Sequence, residues 1–171
     1  MRRFCGIYIV LAALGAFGGE IAIAGRGKES AYSIVLPQEA APSVRYAAEE
    51  LQEYVRRITG VTLEIKDGEF DESSESGENP QYSIRLAPTD EYGDEGFNLK
   101  VDKNRNLVVS GGAVRGILYG VYELLETYGG VGWFASWHTV VPQKDAFTVP
   151  DTLDDTQQPA FAMREPLWFD A

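Results

Sequence analysis

The spacing of apolar residues changes several times along the 171-residue chain, and each change marks an element. Tyr32 to Leu36 is a short apolar run closed by Pro37, which predicts a first strand. Val44, Ala47, Ala48, Leu51, Tyr54, Val55 and Ile58 then recur at helical spacing. With Pro42 near the start and Gly60 just past the end, they predict an amphipathic helix. Val61 to Lys66 alternates apolar and polar residues as a half-buried strand does, and Asp67 to Gln81 reads as an acidic, serine-rich loop. Tyr82 to Ala87 and Phe97 to Asp102 alternate again. The segment Lys103-Asn104-Arg105-Asn106 has the turn chemistry to fold the second of these back onto Leu107 to Ser110.

Helical spacing returns in Val114, Ile117, Leu118, Val121, Leu124, Leu125 and Tyr128, predicting a second helix from about Ala113 to Tyr128. Gly116 and Gly120 interrupt it, four residues apart. Glycine weakens a helix by up to about 1 kcal/mol relative to alanine, so two of them imply close approach to a neighbouring backbone, most simply the sheet. Gly129 to Trp137 is glycine-rich and aromatic, Phe147 to Pro150 resembles a last short strand, and Asp151 to Gln158 reads as a polar linker. The order of elements predicts a two-layer α+β domain: a mixed, mostly antiparallel sheet of about five strands with two helices on one face.

The first residues have a different character. Arg2 and Arg3 precede an apolar run from Ile7 to Phe17, and Ala22-Ile23-Ala24 offers an A-x-A junction, the pattern of a secretory signal peptide over residues 1–24. The run is well short of the roughly 20 residues of a spanning helix, and Glu20 closes it. The chain is therefore expected to be exported, periplasmic or secreted, with no membrane span. Cys5 is the only cysteine and would leave with the signal, so an ordinary apolar core rather than disulfides must hold the remainder. The expected organisation is a signal peptide at 1–24, an α/β domain at 25–150, a linker at 151–158 and the start of a further domain at 159–171.

Charge narrows the partners. A formal net charge of −11 repels nucleic acid and anionic membranes. His138 is the sole histidine, which excludes a histidine zinc cluster and a Ser-His-Asp triad of the usual kind, so no metal and no cofactor is expected. Asp67, Glu69, Asp71, Glu75 and Glu78 fall at positions 1, 3, 5, 9 and 12 of a calcium-loop spacing. Glu72 stands where that loop needs glycine, however, and a strand precedes it, so a solvated acidic loop is the better account. Gly111-Gly112-Ala113-Val114-Arg115-Gly116 lies between a strand and a helix, where phosphate-cradling loops sit, but it lacks the lysine-hydroxyl pair of a P-loop. Glycosidic cleavage needs two carboxylates at a fixed separation, and the acids here lie mainly on loops and exposed helix faces, so no catalytic residue is assigned. Trp133, Phe134, Trp137 and His138 form the one concentrated aromatic patch, suited to packing, to docking or to stacking on a sugar.

Three segments carry a family resemblance: Ala47-Ala48-Glu49-Glu50-Leu51 through Ile58-Thr59-Gly60, Leu107-Val108-Val109-Ser110-Gly111-Gly112, and Arg115-Gly116-Ile117-Leu118-Tyr119-Gly120-Val121-Tyr122-Glu123-Leu124-Leu125-Glu126. Together with Val131-Gly132-Trp133-Phe134 through Val140-Val141-Pro142, they resemble the N-terminal domain of alpha-glucuronidases. The same domain precedes the barrel of beta-N-acetylhexosaminidases and of related secreted bacterial proteins. The resemblance covers residues 31 to 165 or so and implies a non-catalytic accessory unit packed on a TIM barrel of the same polypeptide, which would bind the carbohydrate and supply the catalytic acids. It also implies that Pro159-Ala160-Phe161-Ala162-Met163-Arg164 enters the first barrel strand, with Arg164, Trp168 and Asp170 directed at the sugar. Glu165-Pro166 departs from the family pattern, which usually continues with glycine. Trp133, Trp137 and His138 are the candidate sugar contacts within the domain itself. Two other readings remain open: a free-standing carbohydrate-binding module, and an exported structural domain that mediates assembly.

Overall fold

The structure, a computed structural model, describes residues 19–68 and 82–160. In chain order the strands and helices are β1 Glu20–Gly25, β2 Tyr32–Leu36, α1 Pro42–Thr59, β3 Glu64–Asp67, β4 Tyr82–Pro88, β5 Phe97–Val101 and β6 Leu107–Gly111. These are followed by α2 Gly116–Leu124, β7 Gly132–Ala135, β8 His138–Val140, β9 Ala146–Pro150 and β10 Asp154–Gln157. The main sheet has six strands in the order β10-β5-β6-β4-β2-β3. β2 runs parallel to both β3 and β4, and β4 parallel to β6, whereas β5 is antiparallel to β6 and to β10. The two-layer α+β class therefore holds. Parallel pairing is more frequent within it than expected, and α1 is the crossover that returns the chain from β2 to its parallel neighbour β3.

Helix α1 follows its sequence closely. Pro42 occupies the first turn, where its missing N–H costs nothing, and Gly60 closes the helix in the left-handed region at φ 82°, donating its amide to the Arg56 carbonyl. The predicted apolar stripe from Val44 to Ile58 is buried throughout, facing Ile34, Leu36, Ile84 and Leu86 in the core. Helix α2 begins later than its periodicity suggests. The Asp94 carbonyl accepts the amides of Arg115 and Gly116, which fixes the first turn at Gly116 and leaves Val114 outside the helix, 56% exposed. At its other end α2 widens into a π turn over Leu125–Gly129, which keeps Leu124 and Leu125 buried.

Gly120 is what allows α2 to lie on the sheet. A Cβ built there would stand 2.8 Å from Val109 Cγ1 of β6 and 3.3 Å from the Phe97 ring of β5. The expected close approach of α2 to the sheet is thus present. The hairpin between β5 and β6 forms as its turn residues predict: Asp102 Oδ1 accepts the amides of Asn104 and Asn106, each at 2.8 Å, and Arg105 takes φ 66°.

Two segments differ from expectation. Asp154–Gln157, in the stretch predicted as linker, is an edge strand whose identity comes from its partner rather than from apolar residues of its own. Asn98 Nδ2 on β5 donates to Asp154 Oδ1 at 3.0 Å and to Thr156 Oγ1 at 2.8 Å, Lys100 pairs with Asp154 at 2.6 Å, and buried Leu153 anchors the turn before it. Glu20–Gly25, which overlaps the end of the predicted signal region, forms β1 and pairs antiparallel with β9. The β1–β9 ribbon packs Ile21, Ile23, Phe147 and Val149 into the core beside α1.

Gly120→Ala tests the helix-sheet contact. Alanine would gain about 1 kcal/mol of helix propensity, yet the overpacked methyl should leave a net loss of about 1–3 kcal/mol in urea unfolding. A gain in stability would contradict the close approach.

Candidate functional site

The aromatic segment folds into the β7–β8 hairpin, with Trp133 opposite Thr139, Ala135 opposite His138 and a bulge between the two pairs. Alternation along β7 sends Trp133 and Phe134 to opposite sides. Trp133 turns inward, between Tyr54 of α1 at 5.3 Å and Tyr122 of α2 at 5.0 Å, edge-to-face with both rings. Its indole N–H donates to the Tyr54 hydroxyl at 2.8 Å. The Tyr122 hydroxyl donates to Glu50 Oε2 on α1 at 2.8 Å, and the Arg57 guanidinium lies 5.1 Å above the Tyr54 ring. Trp133 is thereby a bolt between the two helices.

The other side of the hairpin faces solvent. Trp137 at the turn is 88% exposed and Phe134 is 73% exposed, with exposed Val140 on the same hairpin. The Phe134 ring lies beside the His138 ring at 5.7 Å and covers Gly132, where a Cβ would meet the ring at 2.7 Å. Glycine at 132 therefore gives the phenyl ring room to lie flat along the strand. The hairpin divides the predicted sugar contacts. Trp137 and His138 are free to meet a ligand or a partner surface, whereas the Trp133 indole N–H is committed to Tyr54. Arg164, Trp168 and Asp170 lie outside the described residues, as do Glu69, Asp71, Glu75 and Glu78 of the acidic loop.

Beside the end of α1 is an open depression of about 580 Å³, lined by Arg26, Arg56, Arg57, Ile58, Thr59, Gly60, Val141 and Gln143. Its arginines suit the carbonyl end of the helix. Arg56 forks onto Glu53, Arg26 donates to Gln143, and the Thr59 hydroxyl is bonded to the Val55 carbonyl, so the lining presents no nucleophile and no carboxylate. The acids with ion-pair partners include Asp67 with Arg45, Glu95 with Arg115, and Asp154 with Lys100. These are pairs at the surface and not two carboxylates facing one gap. Among the described residues no group of histidine, cysteine and carboxylate side chains is placed to hold a metal, and no helix is long and apolar enough to cross a membrane.

The glycine loop at 111–116 is filled by protein. A Cβ on Gly112 would meet the Gly93 and Asp94 carbonyls at 2.3 and 2.6 Å, and a Cβ on Gly116 the Gly96 carbonyl at 2.3 Å. The Gly112 amide is bonded to the Gly96 carbonyl, and the Arg115 and Gly116 amides to the Asp94 carbonyl. These glycines serve packing between the 93–96 turn and α2.

Residues 21–124, from β1 to the end of α2, match the family model of the glycosyl hydrolase family 67 N-terminus. The chain belongs to this family. Among solved structures, a family GH115 4-O-methyl-alpha-glucuronidase with specificity for decorated arabinogalactans aligns over 80% of this chain at 19% identity, with a TM-score of 0.54. The Streptomyces plicatus beta-hexosaminidase aligns over 85% at 19% identity, with a TM-score of 0.52. Both likenesses are of fold. The chain spans 18% of the first protein's length and 24% of the second's. No curated protein gives a significant match. This family 67 domain is thus found in the N-terminal part of glycoside hydrolases, as the sequence resemblance implied.

Sequence reasoning did not single out Tyr54 and Tyr122 as partners of Trp133. Tyr54 sits on the apolar stripe of α1, so a signal was available there, but Tyr122 lies beside the stripe of α2, and nothing local fixed which strand would cover the two rings.

The two tryptophans should separate in the isolated domain. Trp133→Ala removes a half-buried hydrogen bond and two ring contacts and should cost about 3 kcal/mol in chemical denaturation, while Trp137→Ala should stay within about 0.5 kcal/mol of the parent. Equal losses would contradict the division of the hairpin.

Burial, reinforced by the hydrogen bond to Glu50, holds the Tyr122 phenol proton far above its ordinary range. The unfolded phenol ionises near about pH 10, so this contribution is complete below that pH and lost as the pH rises past it. Melting temperatures followed from about pH 8 to about pH 11 should fall, and Tyr122→Phe should flatten part of the fall. An unchanged slope would remove Tyr122 from the account.

Proposed function

We propose that this chain is the non-catalytic N-terminal accessory domain of an exported glycoside hydrolase, docked through the β7–β8 hairpin against a catalytic barrel of the same polypeptide. One observation carries the reading: in a domain of this family, Trp137 and Phe134 stand outward on a hairpin that Trp133 bolts to both helices. Large rings held outward by a rigid base fit an anchor that another surface completes. The similar glucuronidase and hexosaminidase are several times longer than this chain, which leaves the bulk of each protein for other domains. On this reading the carbohydrate is bound and cleaved in the barrel, residues 159–171 lead into its first strand, and Arg164, with Trp168 and Asp170, contributes to the sugar site. A guanidinium offers a fixed fork of donors to sugar hydroxyls.

A second reading has support from the same rings. An indole as exposed as that of Trp137, beside Phe134 and His138, is also the surface on which a carbohydrate-binding module stacks a sugar face.

Activity and binding assays separate the two. The isolated domain should turn over no aryl glycoside and should not be retarded in gels containing plant or bacterial polysaccharides. In the longer chain with its barrel, Arg164→Ala should reduce turnover or substrate affinity with little change in melting temperature. Hydrolysis by the isolated domain would refute the accessory role. Retardation of the isolated domain that Trp137→Ala abolishes would favour the binding module, and unaltered kinetics of Arg164→Ala would remove the sugar-site assignment.

A further inference from the structure

Strand β1 is a structural part of the domain, although the A-x-A junction Ala22-Ile23-Ala24 lies within it. Ile21 and Ile23 are each 1% exposed, and β1 is the sole strand paired with β9 among the described residues. Removing residues up to Ala24 would open the core beside Phe147 and Val149 and leave the β9 ladder without a partner. It would also delete the first residues of the family match, which begins at position 21. The pairing includes the residue before β1: the Gly19 carbonyl accepts the Asp151 amide at 2.8 Å.

We infer that export processing cuts this chain between Gly18 and Gly19, so that the mature protein begins at Gly19 and keeps β1. The inference rests on the export part of the proposed function. Hydrolysis of the Gly18–Gly19 peptide bond by water leaves a carboxylate on Gly18 of the leader and an α-ammonium on Gly19.

Two features favour that junction. Ala16 and Gly18 supply small residues at the third and first positions before the cut, as a signal peptidase requires, and Ile7 to Leu14 still forms an apolar segment within the usual range of about 7–15 residues. A carboxylate also lies near the new terminus. A Cβ built on Gly19 would fall 2.6 Å from Asp151 Oδ2, so the Asp151 carboxylate stands beside the α-carbon that carries the new ammonium. A cut after Ala24 would instead place the ammonium on Gly25, at the far end of the lost strand.

The test is to express the full chain in a Gram-negative host, recover the periplasmic fraction, and determine its first residue by intact mass and N-terminal sequencing. A start at Gly19 is expected. Gly18→Leu should make the precursor accumulate, and Ala22→Leu, at an exposed position of β1, should not change the first residue. A periplasmic product beginning at Gly25 would overturn the inference while leaving export intact. A chain retained in the cytoplasm and beginning at Met1 would sink the export reading and the inference with it. A second arm is independent of the leader. A chain made without it from Gly19 to Ala171 should unfold cooperatively, whereas one from Gly25 to Ala171 should melt at least about 10 °C lower or show no transition. Equal melting of the two would remove the ground for the inference.

Discussion

The burial of α1 is the interaction on which the other elements depend. One face of the helix, from Val44 to Ile58, meets the parallel strands of the main sheet, and the same core extends to Ile21, Ile23, Phe147 and Val149 of the β1–β9 ribbon. The border of the stripe then presents Glu50 and Tyr54, which tie down Tyr122 and Trp133. The breadth of the stripe lets one helix organise a sheet, a ribbon and a hairpin.

Helix α2 meets the sheet by a different device. Its glycines remove side chains where backbone and strand must approach, and the 93–96 turn takes the amides at its start. A loop that resembles a phosphate cradle in sequence is therefore already filled by the protein's own carbonyls. The same economy appears in the hairpin, where Gly132 makes space for Phe134. What is left outward is an aromatic surface on a base that both helices hold rigid. Rigid presentation lowers the ordering cost of binding, whichever partner meets it.

Much of this was legible in the chain. The stripe of α1, its Pro42 start and Gly60 stop, the β5–β6 hairpin and the close approach at Gly120 all follow from local spacing and turn chemistry. Three features were not. β10 is built from Asp154, Asp155, Thr156 and Gln157, which carry no apolar signal, and it is a strand because Asn98 and Lys100 on β5 provide partners. β1 alternates in Glu20 to Gly25 but lies next to an export-like apolar run, and Ala22 and Ala24, which make it resemble a cleavage site, are poor strand formers that carry little strand signal of their own. The split of Trp133 from Trp137 depends on which ring Tyr54 and Tyr122 receive, a tertiary choice that adjacency in sequence does not fix. The acidic loop and the tail with Arg164 lie outside the described residues, so their predicted roles rest on sequence alone.

On the proposed function, a catalytic domain covers the outer face of the hairpin, while the inner face belongs to this domain. Hydroxyl-radical footprinting of the two indoles reports on both faces at once, comparing the isolated domain with the longer chain that includes the barrel. The account predicts strong labelling of Trp137 in the isolated domain, protection of Trp137 in the longer chain, and low labelling of Trp133 in both. Equal labelling of Trp137 in the two proteins would contradict it.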